Sequence, residues 1–136
     1  MENVQPMFSA KMMAVSKPTI LLIDDDQLVL RSLAKALEKA GYNVLAVDGY
    51  DTAMAAIHDK NFDLVLSDIR MPGKNGVDTA KEIQDSLIAN GKKDLPIIFI
   101  TGYSGDEEKL QTPLLGETLY KPVDINRLLT IIRDYL

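Results

Sequence analysis

Acidic, hydroxyl and cationic residues punctuate this 136-residue chain at the ends of short apolar runs: TILLI stops at Asp24 and Asp25, FDLVLS at Asp68, PIIFI at Thr101 and ETLY at Lys121. If those runs are parallel strands, ligands bind just beyond their carboxyl ends, and residues far apart in sequence meet at one rim. Three carboxylates, a hydroxyl and an ammonium would then share a site. Acids within about 4 Å of one another repel by roughly 1 to 4 kcal/mol per pair between water and near-surface dielectrics, so such a site calls for a cation.

The elements that must position these residues can be read between them. Every residue from Thr19 to Ile23 is β-branched or aliphatic, which suits a strand buried on both faces. A helix is expected next: Leu28, Leu30, Leu33, Ala34 and Leu37 recur at helical spacing, Asp26 is placed to cap the start and Gly41 to stop it. Tyr42 to Val47 reads as a second strand. A helix follows over Thr52 to Lys60, burying Ala53, Ala56 and Ile57. Phe62 to Ser67 is the third strand, and Met71-Pro72-Gly73 forces a turn before a helix over Val77 to Asn90, with Gly91 as its stop. Leu95 to Ile100 is the fourth strand, with Pro96 at its start, where a missing donor is tolerated. Pro113 confines the next helix to about Asp106 to Thr112. Glu117 to Tyr120 makes a short fifth strand, and an amphipathic helix over Asp124 to Leu136 carries Ile125, Leu128, Leu129 and Ile132. Five strands alternating with five helices predict a single α/β domain, a parallel sheet covered on both faces with right-handed crossovers.

Composition narrows the function. A charge of −5 without a basic block argues against direct nucleic-acid binding. The absence of cysteine excludes disulfides, thiolate nucleophiles and Cys-based zinc sites, and is compatible with the cytoplasm. No apolar stretch reaches the length of about 20 residues needed to cross a bilayer. Residues 1–17 lack a basic start, and Lys11 interrupts their apolar stretch, so they read as a flexible leader rather than a signal peptide. A short docked helix through Met7, Phe8, Met12 and Met13 is the alternative for that segment. The lone histidine, His58, falls among polar neighbours on a predicted surface helix, which argues against a phosphorelay role for it.

With these residues laid out, the chain resembles a response-regulator receiver domain of the two-component, CheY-like superfamily. The resemblance rests on IDDD after the first strand, SDIRMPGKNG after the third, FITG after the fourth and YKP after the fifth, and spans residues 18–136. An acid after a strand is common, but the ordered set is specific. It implies a flavodoxin-like, doubly wound (βα)5 sheet in the order 2-1-3-4-5, the order for which a chemotaxis receiver is a standard example. It also implies a domain that takes a phosphoryl group from a sensor histidine kinase or histidine phosphotransfer protein and signals to a partner through a change of conformation. A homodimer and an unidentified effector or output domain are compatible with it, and the chain reads equally as a stand-alone regulator or as part of a larger one.

Carried over motif by motif, Asp68 resembles the phosphoacceptor, whose mixed anhydride with phosphate is a temporary state that water removes. Asp24 and Asp25 resemble the acid pair that, with Asp68 and the backbone carbonyl of Arg70, holds Mg²⁺ or Mn²⁺. Lys121 resembles the lysine that pairs with the acceptor and then with phosphoryl oxygens, and Thr101 the hydroxyl that turns toward the phosphoryl group. The Lys121-Pro122 bond is cis in many relatives. Tyr103 is a candidate for controlling access to the site. Thr118, three residues before the lysine, stands where many receivers carry an aromatic switch residue, and Pro113 shortens the helix that relatives often use for output. The resemblance implies no enzyme activity beyond self-phosphorylation and dephosphorylation at Asp68. Two other readings remain: a phosphatase of the haloacid-dehalogenase type with Asp24 as nucleophile, against which Leu28 stands where that motif expects Thr or Val, and a binding module indifferent to phosphorylation.

Overall fold

A computed structural model describes residues 17–102 and 116–136. Five strands, β1 (Thr19–Ile23), β2 (Asn43–Val47), β3 (Leu64–Asp68), β4 (Ile97–Thr101) and β5 (Glu117–Tyr120), form one parallel sheet in the order β2-β1-β3-β4-β5. The described helices are α1 (Gln27–Lys39), α2 (Tyr50–Asp59), α3 (Gly76–Ala89) and α4 (Ile125–Tyr135). The leader and the helix expected over 106–112, with Pro113, lie outside the described residues.

Alternation along the strands feeds two separate cores. Leu21, Ile23, Val65, Ile97 and Phe99 face α2 and α3, where they meet Ala53, Ile57, Ala80 and Ile83. Ile20, Leu22, Leu64, Leu66, Ile98 and Ile100 face α1 and α4, against Leu30, Leu33, Leu37, Leu128 and Ile132. Strands β1, β3 and β4 are packed on both sides, which is why they read as unbroken apolar runs. The chain leaves β1 for one face and β3 for the other. The two connections part above the β1/β3 boundary, and that divergence opens a crevice at the carboxyl rim.

Local chemistry sets the helix ends. Asp26 caps α1, its side chain accepting the Leu28 and Val29 N–H groups, and Asn75 and Asp124 cap α3 and α4 likewise. Gly41, at φ 102°, ends α1: its N–H donates to Glu38 O and the Tyr42 N–H to Leu37 O, the paired bonds of a left-handed helix stop.

The buried stripe expected on α1 needs one correction. Leu28 is 73% exposed, while Leu30, Leu33 and Leu37 are buried. Positions 28 and 30 lie about 200° apart around a helix of 3.6 residues per turn, so both cannot face the sheet. Element ends shift by up to two residues from those expected. Two-residue shifts fall at the starts of α2, β3 and β4, and β3 begins at Leu64 although Phe62 before it is buried in the core.

Candidate functional site

Strand register assembles the site. Ile23 pairs with Ser67, so the residues that follow, Asp24 and Asp68, stand side by side at the rim. Asp68 pairs with Ile100 and Thr101 with Tyr120, which brings Thr101 and then Lys121 to the same edge. Main-chain bonds continue past the strand ends: the Asp24 N–H donates to Val47 O at 3.1 Å, the Ile69 N–H to Ile100 O at 3.1 Å and the Lys121 N–H to Thr101 O at 2.8 Å. The reactive side chains are thereby carried on backbone still tied to the sheet. The Lys121-Pro122 peptide bond that follows is cis.

The three successive acids have three different situations. Asp24 is 2% exposed, and its Oδ1 accepts the Asp26 N–H at 2.9 Å. Asp25 is exposed beside it, and Asp26 is occupied as the α1 cap. Asp68 is buried, its Oδ1 accepting the Ile69 N–H at 2.9 Å. Lys121 Nζ bridges the two buried acids, 3.4 Å from Asp24 Oδ2 and 3.5 Å from Asp68 Oδ2.

Carboxylate oxygens of Asp24, Asp25 and Asp68 all lie within 4.8 Å of one another. One ammonium cannot neutralise three such groups, and hard oxygen donors at this spacing fit a hard divalent cation. The electrostatics agree. Desolvation, with the Asp24 charge adding to it, pushes the Asp68 carboxyl up to about 6 against the opposing pull of Lys121. Burial works against the Lys121 ammonium, but the Asp68 and Asp24 charges outweigh it and the net shift is upward.

The remaining sequence candidates are placed as follows. Thr101 is fully buried at the end of β4, next in line to the Asp68–Ile100 pair. Arg70 is exposed in the loop two residues past Asp68. Thr118 is half-buried on β5 opposite Phe99, and lines a cavity of about 310 Å³ with Tyr120, Val123 and Arg127. Tyr103 lies outside the described residues. His58 is exposed on α2, away from the rim residues.

Other contacts around the loop after Asp68 carry no signal in the sequence. Lys74 pairs with Glu82 of α3 and sits 4.3 Å from the centre of the Tyr50 ring, while the Tyr50 hydroxyl donates to Glu82 Oε1 at 3.2 Å. The hydrogen bond to Glu82 holds the Lys74 ammonium above its ordinary range, and the same bond holds the Glu82 carboxyl below its own. This cluster straps the loop after Asp68 to two helices. No spacing in the sequence marks it, because its members come from three different segments. Gly76 and Ser67 also touch the Asp68 backbone.

A doubly wound sheet with a cation-seeking acid cluster and a bridging lysine at its switch point defines a class of phosphoryl-switch domains. Comparison with known proteins makes the membership specific: a family model described as the response regulator receiver domain matches residues 20–133, and the chain belongs to that family. It is 33% identical over 121 residues to the phosphate regulon transcriptional regulatory protein PhoB of Pseudomonas aeruginosa, covering 87% of this chain but only 51% of that regulator. It is 34% identical to the response regulator receiver protein CpdR of Brucella abortus, across 86% of this chain and 95% of CpdR. Sensor proteins are among the further matches. Among solved structures, the response regulator TrrA of Thermotoga maritima, in complex with Mg²⁺ and BeF, superposes with a TM-score of 0.77 at 29% identity, covering 88% of this chain and 99% of that one. Neither the phosphatase reading nor the phosphorylation-indifferent module is favoured by these relatives.

Proposed function

We propose that residues 18–136 form a phosphorylation-switched signalling domain in which Asp68 accepts a phosphoryl group from the phosphohistidine of a sensor kinase or phosphotransfer protein, with residues 1–17 as a leader. The observation that carries this reading is the buried carboxylate at the end of β3 whose Oδ2 faces Lys121 at 3.5 Å, inside a triad of acids spaced for a cation. Asp24, Asp25 and Asp68, with the Arg70 carbonyl, are the groups that would hold Mg²⁺, and Mn²⁺ offers the same hard-ligand chemistry. Bound there, the metal would neutralise acid charge and phosphoryl oxygens.

This chain's residues then have separate tasks. An oxygen of Asp68 attacks phosphorus; the new O–P bond forms as the P–N bond to the donor imidazole breaks, and its electron pair returns to the ring nitrogen. Lys121, already shared between Asp24 and Asp68, follows the added charge onto the phosphoryl oxygens. The Thr101 hydroxyl donates to another of those oxygens. Attack by water on phosphorus later releases phosphate and restores the carboxylate, so the reaction ends where it began. The phosphoryl group adds roughly −1.5 to −2 of charge, by analogy with other phosphorylated side chains, and biases two pre-existing conformations that a partner distinguishes. Thr118 in place of an aromatic gives that bias a readout without a ring movement at this position. The cytoplasm is the proposed compartment, because a phosphohistidine donor draws its phosphoryl group from ATP.

Incubation with acetyl phosphate and Mg²⁺ tests the assignment. Wild type is expected to gain one phosphoryl group by intact mass and Asp68→Asn none; full labelling of Asp68→Asn would sink it.

A further inference from the structure

Asp68 is held through its backbone as well as its side chain. Ser67 Oγ donates to the Asp68 carbonyl oxygen at 2.9 Å. Gly76, the first residue of α3, donates its N–H to Ile69 O at 2.8 Å and closes the loop that follows the acceptor. A Cβ at Gly76 would stand 1.8 Å from the Asp68 carbonyl oxygen, 2.9 Å from its carbonyl carbon and 2.9 Å from Ser67 Oγ. Real Cβ contacts are essentially never under 3.0 Å, and the nearest atom here is backbone. Any side chain at position 76 must therefore displace the start of α3 or the acceptor itself by more than about 1 Å, the scale of misplacement that costs about a hundredfold in rate.

Gly76 does not have the left-handed φ that favours glycine. At the other end of α3, Gly91 has φ 71° and no atom within 4 Å of where a Cβ would stand, so its glycine answers a backbone need alone. Gly76 answers a need for close approach.

We propose that Gly76 and Ser67 are positioning residues for phosphoryl acceptance, clamping the Asp68 carbonyl between a bare Cα and a hydroxyl so that Oδ1 stays on the Ile69 N–H and Oδ2 stays toward Lys121. The inference rests on the reading of Asp68 as acceptor and extends it to residues that touch neither metal nor phosphoryl group.

The test uses the full chain as wild type, Gly76→Ala, Gly91→Ala and Ser67→Ala. Labelling rates with acetyl phosphate and saturating Mg²⁺ are measured beside circular dichroism and the ¹⁵N-resolved amide resonance of Ile69. Folded Gly76→Ala is expected to label about ten- to a hundredfold more slowly, with a displaced Ile69 amide. Gly91→Ala, strained but distant from the acceptor, is expected to label within about twofold of wild type with that resonance unmoved. A folded Gly76→Ala that labels at the wild-type rate overturns the proposal, as does an equal slowing by Gly91→Ala. If Gly76→Ala does not fold, Ser67→Ala decides: several-fold slowing supports the clamp and a wild-type rate overturns it. If wild type itself takes no phosphoryl group, the proposed function fails, and the Ile69 resonance in the variants still decides whether the clamp exists.

Discussion

The two ends of the sheet solve opposite problems. At the amino-terminal end, polar groups are matched: the Thr19 N–H donates to Asp63 Oδ2 at 2.7 Å and the Asp63 N–H returns a bond to Thr19 O at 2.8 Å. There the Gln84 side chain also takes the Leu95 N–H at 2.9 Å and gives its own N–H to Leu95 O at 2.6 Å. At the carboxyl end, Asp24 and Asp68 are buried together with one lysine between them, and the Asp68 carboxyl is pushed up to about 6. One end is satisfied by the chain itself. The other gathers three carboxylates around one bridging lysine, so matched polar pairs and concentrated like charge are segregated along the strands.

The contrast breaks most visibly at Asp68. A carboxyl raised from 3.8 to about 6 opposes folding by about 3 kcal/mol once both states are ionised. The unfolded chain loses its proton near 3.8 and the folded chain near 6, so the penalty is absent below the first value, grows between them and is complete above the second. Asp68→Asn is accordingly expected to raise the melting temperature of the metal-free protein at pH 7, and saturating Mg²⁺ to narrow the gap by stabilising wild type alone. A variant less stable than wild type in chelator would show that Asp68 is not under charge stress.

Acidification supplies the same comparison without a mutation. In chelator, the Asp68 contribution predicts that stability rises as pH falls from 7 toward 5, by less than the full penalty because titration is incomplete above 3.8. The rise should be missing from Asp68→Asn when the two are followed by urea denaturation across that range.

Smaller effects belong to the satisfied end. Gln84→Ala strips both partners from the Leu95 backbone and is expected to cost about 1 to 3 kcal/mol while leaving the rate of phosphorylation unchanged. Asp63→Ala removes an exposed acceptor and is expected to cost up to about 1 kcal/mol. A labelling defect in either, with the protein folded, would mean that the two ends are coupled through the strands.

The fold was legible because its signals are local and repeated. Five apolar runs bounded by acids, glycines and prolines match the five observed strands, and Asp26 marks its helix start by side-chain chemistry alone. The clustering of Asp24, Asp25, Asp68 and Lys121 was legible because each ends a strand or lies within two residues past one, where register gathers them. Leu28 was misplaced by counting apolar residues without turning the helix. Gly76 escaped for a deeper reason: its requirement comes from a carbonyl on another element, 1.8 Å from where its Cβ would be, and no local pattern encodes that distance. The Lys74, Glu82 and Tyr50 strap is equally a product of packing, since exposed charges on separate segments carry no pairing signal.

The bond between Lys121 and Asp24 spans 97 positions of sequence and closes only when β1, β3, β4 and β5 are all in register. No fragment or partly ordered chain can present the complete cluster at the rim. If Asp68 takes a phosphoryl group as proposed, its uptake should act as a census of native molecules: in a mixture of folded and unfolded chains, the labelled fraction would count those whose sheet is finished.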